Sequence, residues 1–293
     1  MSGEAIQSAP REAAGSVSLP DEREFRALLR LLDDDTPAVR EAVMEKIRLL
    51  DGDVSEWCSD SAIELDPVTE ELLSKALSDG RRRKLLEEWQ APSGGAAAFG
   101  EDWDHLECLL RMLSDFLHDG VTLRQPLSDM LDLLADEAEH AGIDSPESLR
   151  VFLFEAGTYV GNESDPSDPR NLDLAWVGDA GRSDALGLSL LYVLVARRLG
   201  VEVEPVDYPG HFFCLIHEKG RALLVDCFDY GRIYPLEQML RGHDIGRAEK
   251  RCLSSTVGPG TVLLRVLHDL IGKLEHQGRD QDAALVAQLR EML

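Results

Sequence analysis

The sequence predicts an α+β fold: a helical N-terminal domain, a small antiparallel sheet with one buried helix on it, and a closing helical hairpin. Three observations predict it. From residue 20 to residue 160, apolar residues recur almost throughout at helical spacing. From Ser183 to Asp229, one long apolar helix is followed by short apolar runs punctuated by Pro-Gly and Lys-Gly pairs. From Gly258 onward helical periodicity returns and breaks once, at "QGRDQ". The chain has 293 residues, 44% of them hydrophobic, which is enough for one large core or two smaller ones.

The chain opens with "MSGEAIQSAPREAAGSVS", which lacks the basic start and apolar core of a secretion signal. Residues 1–19 read instead as a disordered lead-in. Residues 20–160 form the expected helical domain. Phe25, Leu28, Leu29 and Leu32, then Val39, Val43 and Ile47, mark two helices, with "DDDTP" supplying a cap and a proline at the second start. This pair resembles one HEAT-type repeat, in a single copy. "PVTEELLSKALSDGRRRKLLEEWQ" gives a further helix or two, and "APSGGAAAFG" a loop. "DWDHLECLLRMLSDFLHDG" and "PLSDMLDLLADEAEHAG" are strongly amphipathic helices. "SPESLRVFLFEAGTYVGN" reads as one more helix, started by Ser145. His105, His118 and His140 lie on these helices without an i, i+4 partner and a third ligand, so surface positions are expected.

Residues 161–250 form the expected core. "ESDPSDPRNLDL" is a polar loop. In "DLAWVGDAG", Trp176 and Val177 pack the next helix, and Gly178 and Gly181 let the backbone turn into it. It is no phosphate loop, because GxxxxGK[ST] is absent. "SDALGLSLLYVLVARRLG" is apolar nearly all round from Leu186 to Val195, which predicts a buried helix. Arg197, Arg198 and Gly200 mark its exit. "VEVEPVDY", "GHFFCLIHE" and "RALLVDCFD" read as three strands of an antiparallel meander. Residues 251–293 close the chain with two helices that look like one tetratricopeptide-type hairpin.

The candidate chemistry sits at the start of the middle strand, where His211 occupies a place the pattern would give to a hydrophobe. Asp226 follows fifteen positions later on the next strand. A hairpin turn at Glu218–Gly220 would set the two nearly opposite, with strands about 5 Å apart. An aspartate facing a histidine fixes the imidazole tautomer and supports general-base work. It equally satisfies a buried histidine in a purely architectural way. A nucleophile would belong at the N-terminus of the buried helix. Ser183 stands there, readable as nucleophile or as helix cap. Ser189 is mid-helix core. Strand alternation turns Cys214 and Cys227 away from the pair. A metal site of His211, Asp226 and Asp229 is disfavoured by the same alternation, and no metal or cofactor is expected.

The order of helix, histidine strand and aspartate strand resembles the papain-like core of the transglutaminase superfamily. Closer still is the likeness to the SirB-type transglutaminase-like family, carried by "DPRNLDLAWVGDAGRSDALGLSLLYVLVARRLGVEV", "PGHFFCLI", "LLVDCFDYG" and "LLRVLHDLIGKLEHQG". The resemblance covers about Gly157 to Leu293. It implies tetratricopeptide-like closing helices and a catalytic cysteine in the active relatives. Here no cysteine lies between Cys108 and Cys214. The SirB-type branch usually lacks that cysteine too. The expected function is therefore a non-catalytic interaction or regulatory protein. The alternative is a hydrolase or acyltransferase using Ser183, His211 and Asp226.

Thirty Lys and Arg against 55 Asp and Glu give a net charge of −25. Such a surface repels phosphate backbones, which excludes nucleic-acid binding, and suits a protein partner of basic character. No run of 18 apolar residues is present to cross a membrane. The five cysteines are odd in number and lack CxxC spacing, which points to buried free thiols and a reducing cytoplasm. The pattern does not specify an oligomeric state.

Overall fold

The structure, a computed structural model, describes residues 20–242 and 245–293; the expected lead-in at 1–19 lies outside the described residues. Helices α1 (Glu22–Leu31) and α2 (Pro37–Arg48) form the first pair. Asp21 caps α1 by accepting from the Glu24 N–H at 2.7 Å. Thr36 precedes α2 without a side-chain cap bond, and Pro37 alone sets that start. A short α3 (Ser55–Asp60) and the long α4 (Pro67–Glu88) follow. Helix α4 runs through Gly80 because backbone approaches it there: a Cβ would meet the Leu50 carbonyl oxygen at 2.2 Å. Phe25, Ile47, Leu73 and Leu77 build a small core for this region, with Trp57 edge-on to Phe25 at 4.4 Å.

A second, larger core begins at Leu85 and runs to Leu289. It takes in α5 (Trp103–Leu117), α6 (Leu127–His140), α8 (Leu174–Ala180) and α9 (Ala185–Arg198), and ends on α12 (Pro259–His276) and α13 (Asp280–Glu291). Between α6 and α8 lies α7 (Pro146–Arg150). The sequence boundaries near 160 and 250 thus pass through one continuous core. Every residue of α9 from Leu186 to Ala196 is buried, as its all-round apolar sequence predicts.

Four strands form an antiparallel sheet in the order β3 (Glu204–Tyr208), β4 (His211–Glu218), β5 (Arg221–Asp226), β6 (Arg232–Pro235). The strand β4 is buried on both faces. Phe212, Cys214 and Ile216 join the main core against α9. Phe213 and Leu215 join a third cluster with Leu224 and Leu253, beside α10 (Leu236–Arg241) and α11 (Arg247–Leu253). Two covered faces explain a continuous apolar run in place of alternation. Lys219 and Gly220 close the β4–β5 hairpin with φ of 49° and 75°, the two-residue turn whose twist fits flanking strands.

Three expectations change. The segment 145–162 is not one helix: α7 ends at Arg150, a π-helical turn occupies Val151–Glu155, and Val160–Gly161 becomes a strand, β1. That strand pairs in parallel with β2 (Arg182–Ser183), a long-range bridge that local periodicity does not display. The strand β6 was also unexpected. His118 is buried, not on the surface, because α5 ends one residue before it and its ring folds over the following turn, where Nδ1 accepts from the Gly120 N–H at 3.1 Å. Among the described residues no helix is long and apolar enough to cross a membrane.

Candidate functional site

The Pro209–Gly210 turn delivers His211 to the first position of β4, paired across the ladder with Tyr208. Asp226 is the last residue of β5. The register pairs Cys214 with Val225. Asp226 therefore falls level with Phe213, and His211 lies one diagonal step away, not directly opposite as the sequence suggested. A diagonal still permits contact for a long side chain. His211 Nε2 and Asp226 Oδ1 are 2.9 Å apart. The imidazole also meets the edge of Phe213, with ring centres 4.5 Å apart.

Asp226 has a second task. Its Oδ1 accepts the Phe228 and Asp229 N–H groups at 3.1 and 3.2 Å, so the carboxylate also fixes the turn leaving β5. This dual role sets an unequal outcome for two substitutions. Asp226→Ala is expected to cost about 2–3 kcal/mol, because it strands the imidazole and two amides. His211→Gln should cost about 1 kcal/mol, because the backbone bonds survive. Urea unfolding of both variants checks this, and equal losses would refute the dual role.

Beside the pair is a small cleft of 240 Å³. The start of α9 supplies one wall through Asp184, Ala185 and Leu186, and α12 supplies Arg265 and Asp269. Arg265 is neutralised there, with Nε on Asp269 at 2.9 Å and Nη1 bonded to Asp207. Among the described residues no serine, threonine or cysteine stands on the α9 wall, and its one carboxylate, Asp184, is taken up by capping α9 and pairing with Lys273 at 3.0 Å.

Ser183 is placed elsewhere. It lies in β2, fully buried, and its Oγ donates to the Asn171 carbonyl at 2.5 Å. The cap of α9 is Asp184, which accepts from the Gly187 N–H at 2.8 Å, so the cap role read for Ser183 belongs to its neighbour. Among the described residues Ser183 makes no hydrogen bond to His211 and does not line the cleft. Ser189 is buried mid-helix. Cys214 and Cys227 lie on the α9 side of the sheet, fully buried, with sulfurs 4.0 Å apart. Burial, helped by Cys214, pushes the Cys227 thiol well above its ordinary range, which suppresses the nucleophilic thiolate. Asp229 turns to Arg232 at 3.2 Å instead of joining His211. Among the described residues no three His, Cys, Asp or Glu side chains converge as a metal site.

Sequence reasoning missed the buried amide network under α9. Asn162 Nδ2 donates to Asn171 Oδ1 at 2.9 Å, and Asn171 Nδ2 donates to the Asp165 carbonyl at 3.0 Å. The available signal was an asparagine amid the loop "SDPRNLDL". The Arg265–Asp269 wall was also missed, although its i, i+4 spacing was readable.

The geometry defines an α+β protein with a cross-strand His–Asp pair beside the start of a buried helix. Residues 123–268 match the transglutaminase-like superfamily, so the chain carries a transglutaminase-like domain. A UPF0162 protein of Xylella fastidiosa strain Temecula1 is 32% identical over 130 residues, 42% of this chain and 46% of that one. Its counterpart in strain 9a5c is 31% identical over 147 residues, 48% of this chain and 52% of that one. F-box only protein 21 of Mus musculus is 27% identical over 175 residues, 58% of this chain and 27% of that one. The chain spans about half the length of the UPF0162 proteins it matches. No solved structure matches it.

Proposed function

We propose that this chain is a transglutaminase-like protein of the SirB type that works by binding, not by catalysis. In this reading His211 and Asp226 are the remnant of a catalytic pair kept for its architecture. The observation that carries it is the α9 wall of the His211 cleft, which offers Ala185, Leu186 and the engaged cap Asp184, and no serine, threonine or cysteine. Ser183, the hydroxyl next to the α9 cap in sequence, is bound to the Asn171 carbonyl and fully buried. A nucleophile needs both access and an adjacent base.

The interaction surfaces would be the HEAT-like pair α1–α2 and the tetratricopeptide-like hairpin α12–α13, which flank the sheet in sequence. A net charge of −25 favours a basic protein partner. All five cysteines are free, which supports a reducing, cytoplasmic setting.

Chemical labelling of the native protein tests the reading. Fluorophosphonate should leave Ser183 unmodified. Iodoacetamide should reach the half-buried Cys108 and Cys252 and spare Cys214 and Cys227. Amide, ester and transamidation substrates should show no turnover. Turnover that disappears in His211→Gln would overturn the proposal.

A further inference from the structure

A further cavity among the described residues shares no lining residue with the His211 cleft. It measures 800 Å³ and lies where α4, the segment after α5, α8 and the turn between α12 and α13 meet. That volume is typical of small-molecule sites. Six arginine and lysine side chains and five aspartates line it, a local cationic excess in a chain of net charge −25.

The excess gathers at one end. Arg82 and Arg279 both place Nε on the single carboxylate of Asp282, at 2.5 and 2.7 Å, and so use both of its oxygens. Arg81 stands beside them, 9% exposed, and donates only to the carbonyls of Gly52, Ser74 and Asp119. Among the described residues it has no carboxylate partner, whereas the equally buried Arg150 pairs with Glu147 and Glu155. Burial first, then repulsion from Arg279, holds the Arg81 guanidinium down at about 10. Lys75, on the preceding face of α4, is also without a carboxylate partner among the described residues.

The backbone is shaped to this arginine. A Cβ on Gly52 would meet Arg81 Cγ at 2.6 Å, and one on Gly120 would meet Nη1 at 3.0 Å. A buried cation facing other cations is unfavourable unless an anion joins it. The rest of the cavity is of different character. Trp176 lines it with the Arg170 guanidinium over its ring at 4.9 Å, and Leu117 and the largely exposed Leu123 lie nearby.

We propose that this cavity binds a small organic phosphate, with the phosphate between Arg81, Arg82, Arg279 and Lys75 and a flat apolar body against Trp176. Arginine forks match phosphate oxygens, and a phosphate monoester brings nearly two charges and three acceptors to several donors. Asp282 and Asp79, which takes Arg82 Nη1 at 2.6 Å, are two carboxylates against four cations and leave the cluster's charge in excess.

Calorimetric titration of the full chain at low salt, with phenyl phosphate, inorganic phosphate and phthalate as probes, tests this. Phenyl phosphate should bind tightest. Arg279→Gln should weaken it about tenfold and Lys75→Gln about threefold, with circular dichroism confirming that both variants fold. Trp176→Leu should remove the advantage of phenyl phosphate over inorganic phosphate and leave inorganic phosphate unchanged. No saturation by phenyl phosphate up to about 5 mM overturns the proposal. So does binding indifferent to Lys75→Gln and Arg279→Gln, and tighter binding of phthalate overturns the phosphate assignment.

Discussion

Arg124→Met is expected to lower stability by about 3–5 kcal/mol at pH 7, enough to remove a large part of the margin of most domains. Arg124 Nη1 bonds both oxygens of Asp173 at 2.9 Å, and Asp173 in turn caps α8 through the Trp176 N–H at 3.2 Å. The Asp173 side chain is 3% exposed. Without Arg124 its charge is left buried and unpaired. Burial already outweighs Arg124 and holds the Asp173 carboxyl above the usual carboxylate range. A raised folded pKa means that the folded protein takes up the proton more readily than the unfolded chain. The associated cost is full at pH 7 and is relieved as pH falls through the folded value. Removing Arg124 raises that value further, so the loss should shrink between pH 7 and pH 5. Urea unfolding at both pH values checks the sign. Adding Asp173→Asn to Arg124→Met should restore most of the stability, because the amide keeps the cap without the charge. A double variant as unstable as the single one would show that packing, not charge, carries the loss.

The same contact shows what a sequence can and cannot display. Helical periodicity located α1, α2, α5, α6 and α9 because each buries a face or a whole surface whose spacing is local. Arg124 and Asp173 are 49 residues apart, and neither carries any mark of the other. The strand β6 has four residues and ends in Pro235, too short for alternation to register. The phosphate cavity draws on four separate segments between Lys75 and Asp282, and Arg81 within "RRRK" looks like any solvated helix face.

The His–Asp pair was legible for a physical reason. The expected pairing of His211 with Asp226 puts the hairpin centre between Glu218 and Lys219, one residue earlier than the observed centre between Lys219 and Gly220. Moving a hairpin centre by one residue moves the cross-strand partner by two. A shift of two keeps a side chain on the same face, because strand side chains alternate. His211 and Asp226 therefore still met, one diagonal step from the expected pairing. The helix start was less forgiving. Ser183 and Asp184 are both good caps, and local sequence does not choose between them. The choice is made by β1, which draws Ser183 into a parallel bridge with Gly161 and leaves Asp184 to cap.

That choice also fixes the fate of the serine, and Gly187→Ala exposes it. A Cβ on Gly187 would lie 2.1 Å from Ser183 Oγ and 2.3 Å from the Asn171 carbonyl oxygen. The first turn of α9 is thus pressed onto the Ser183–Asn171 hydrogen bond, with no space for a methyl group. Gly187→Ala should cost about 3 kcal/mol, because the opposing groups are buried backbone and a bonded hydroxyl. Its helix-propensity gain of about 1 kcal/mol does not offset this. Ser183→Ala alone should cost about 1–2 kcal/mol by orphaning the Asn171 carbonyl. Combining the two relieves one clash and leaves the carbonyl, so the double variant should be destabilised less than the sum but more than Ser183→Ala. Thermal unfolding of the three variants resolves the order. A neutral Gly187→Ala would mean that α9 stands away from this layer, with Ser183 free to turn toward the His211 cleft. The expected loss instead keeps Ser183 as a clamp between β2 and the 169–172 turn, and keeps its hydroxyl out of the His211 cleft.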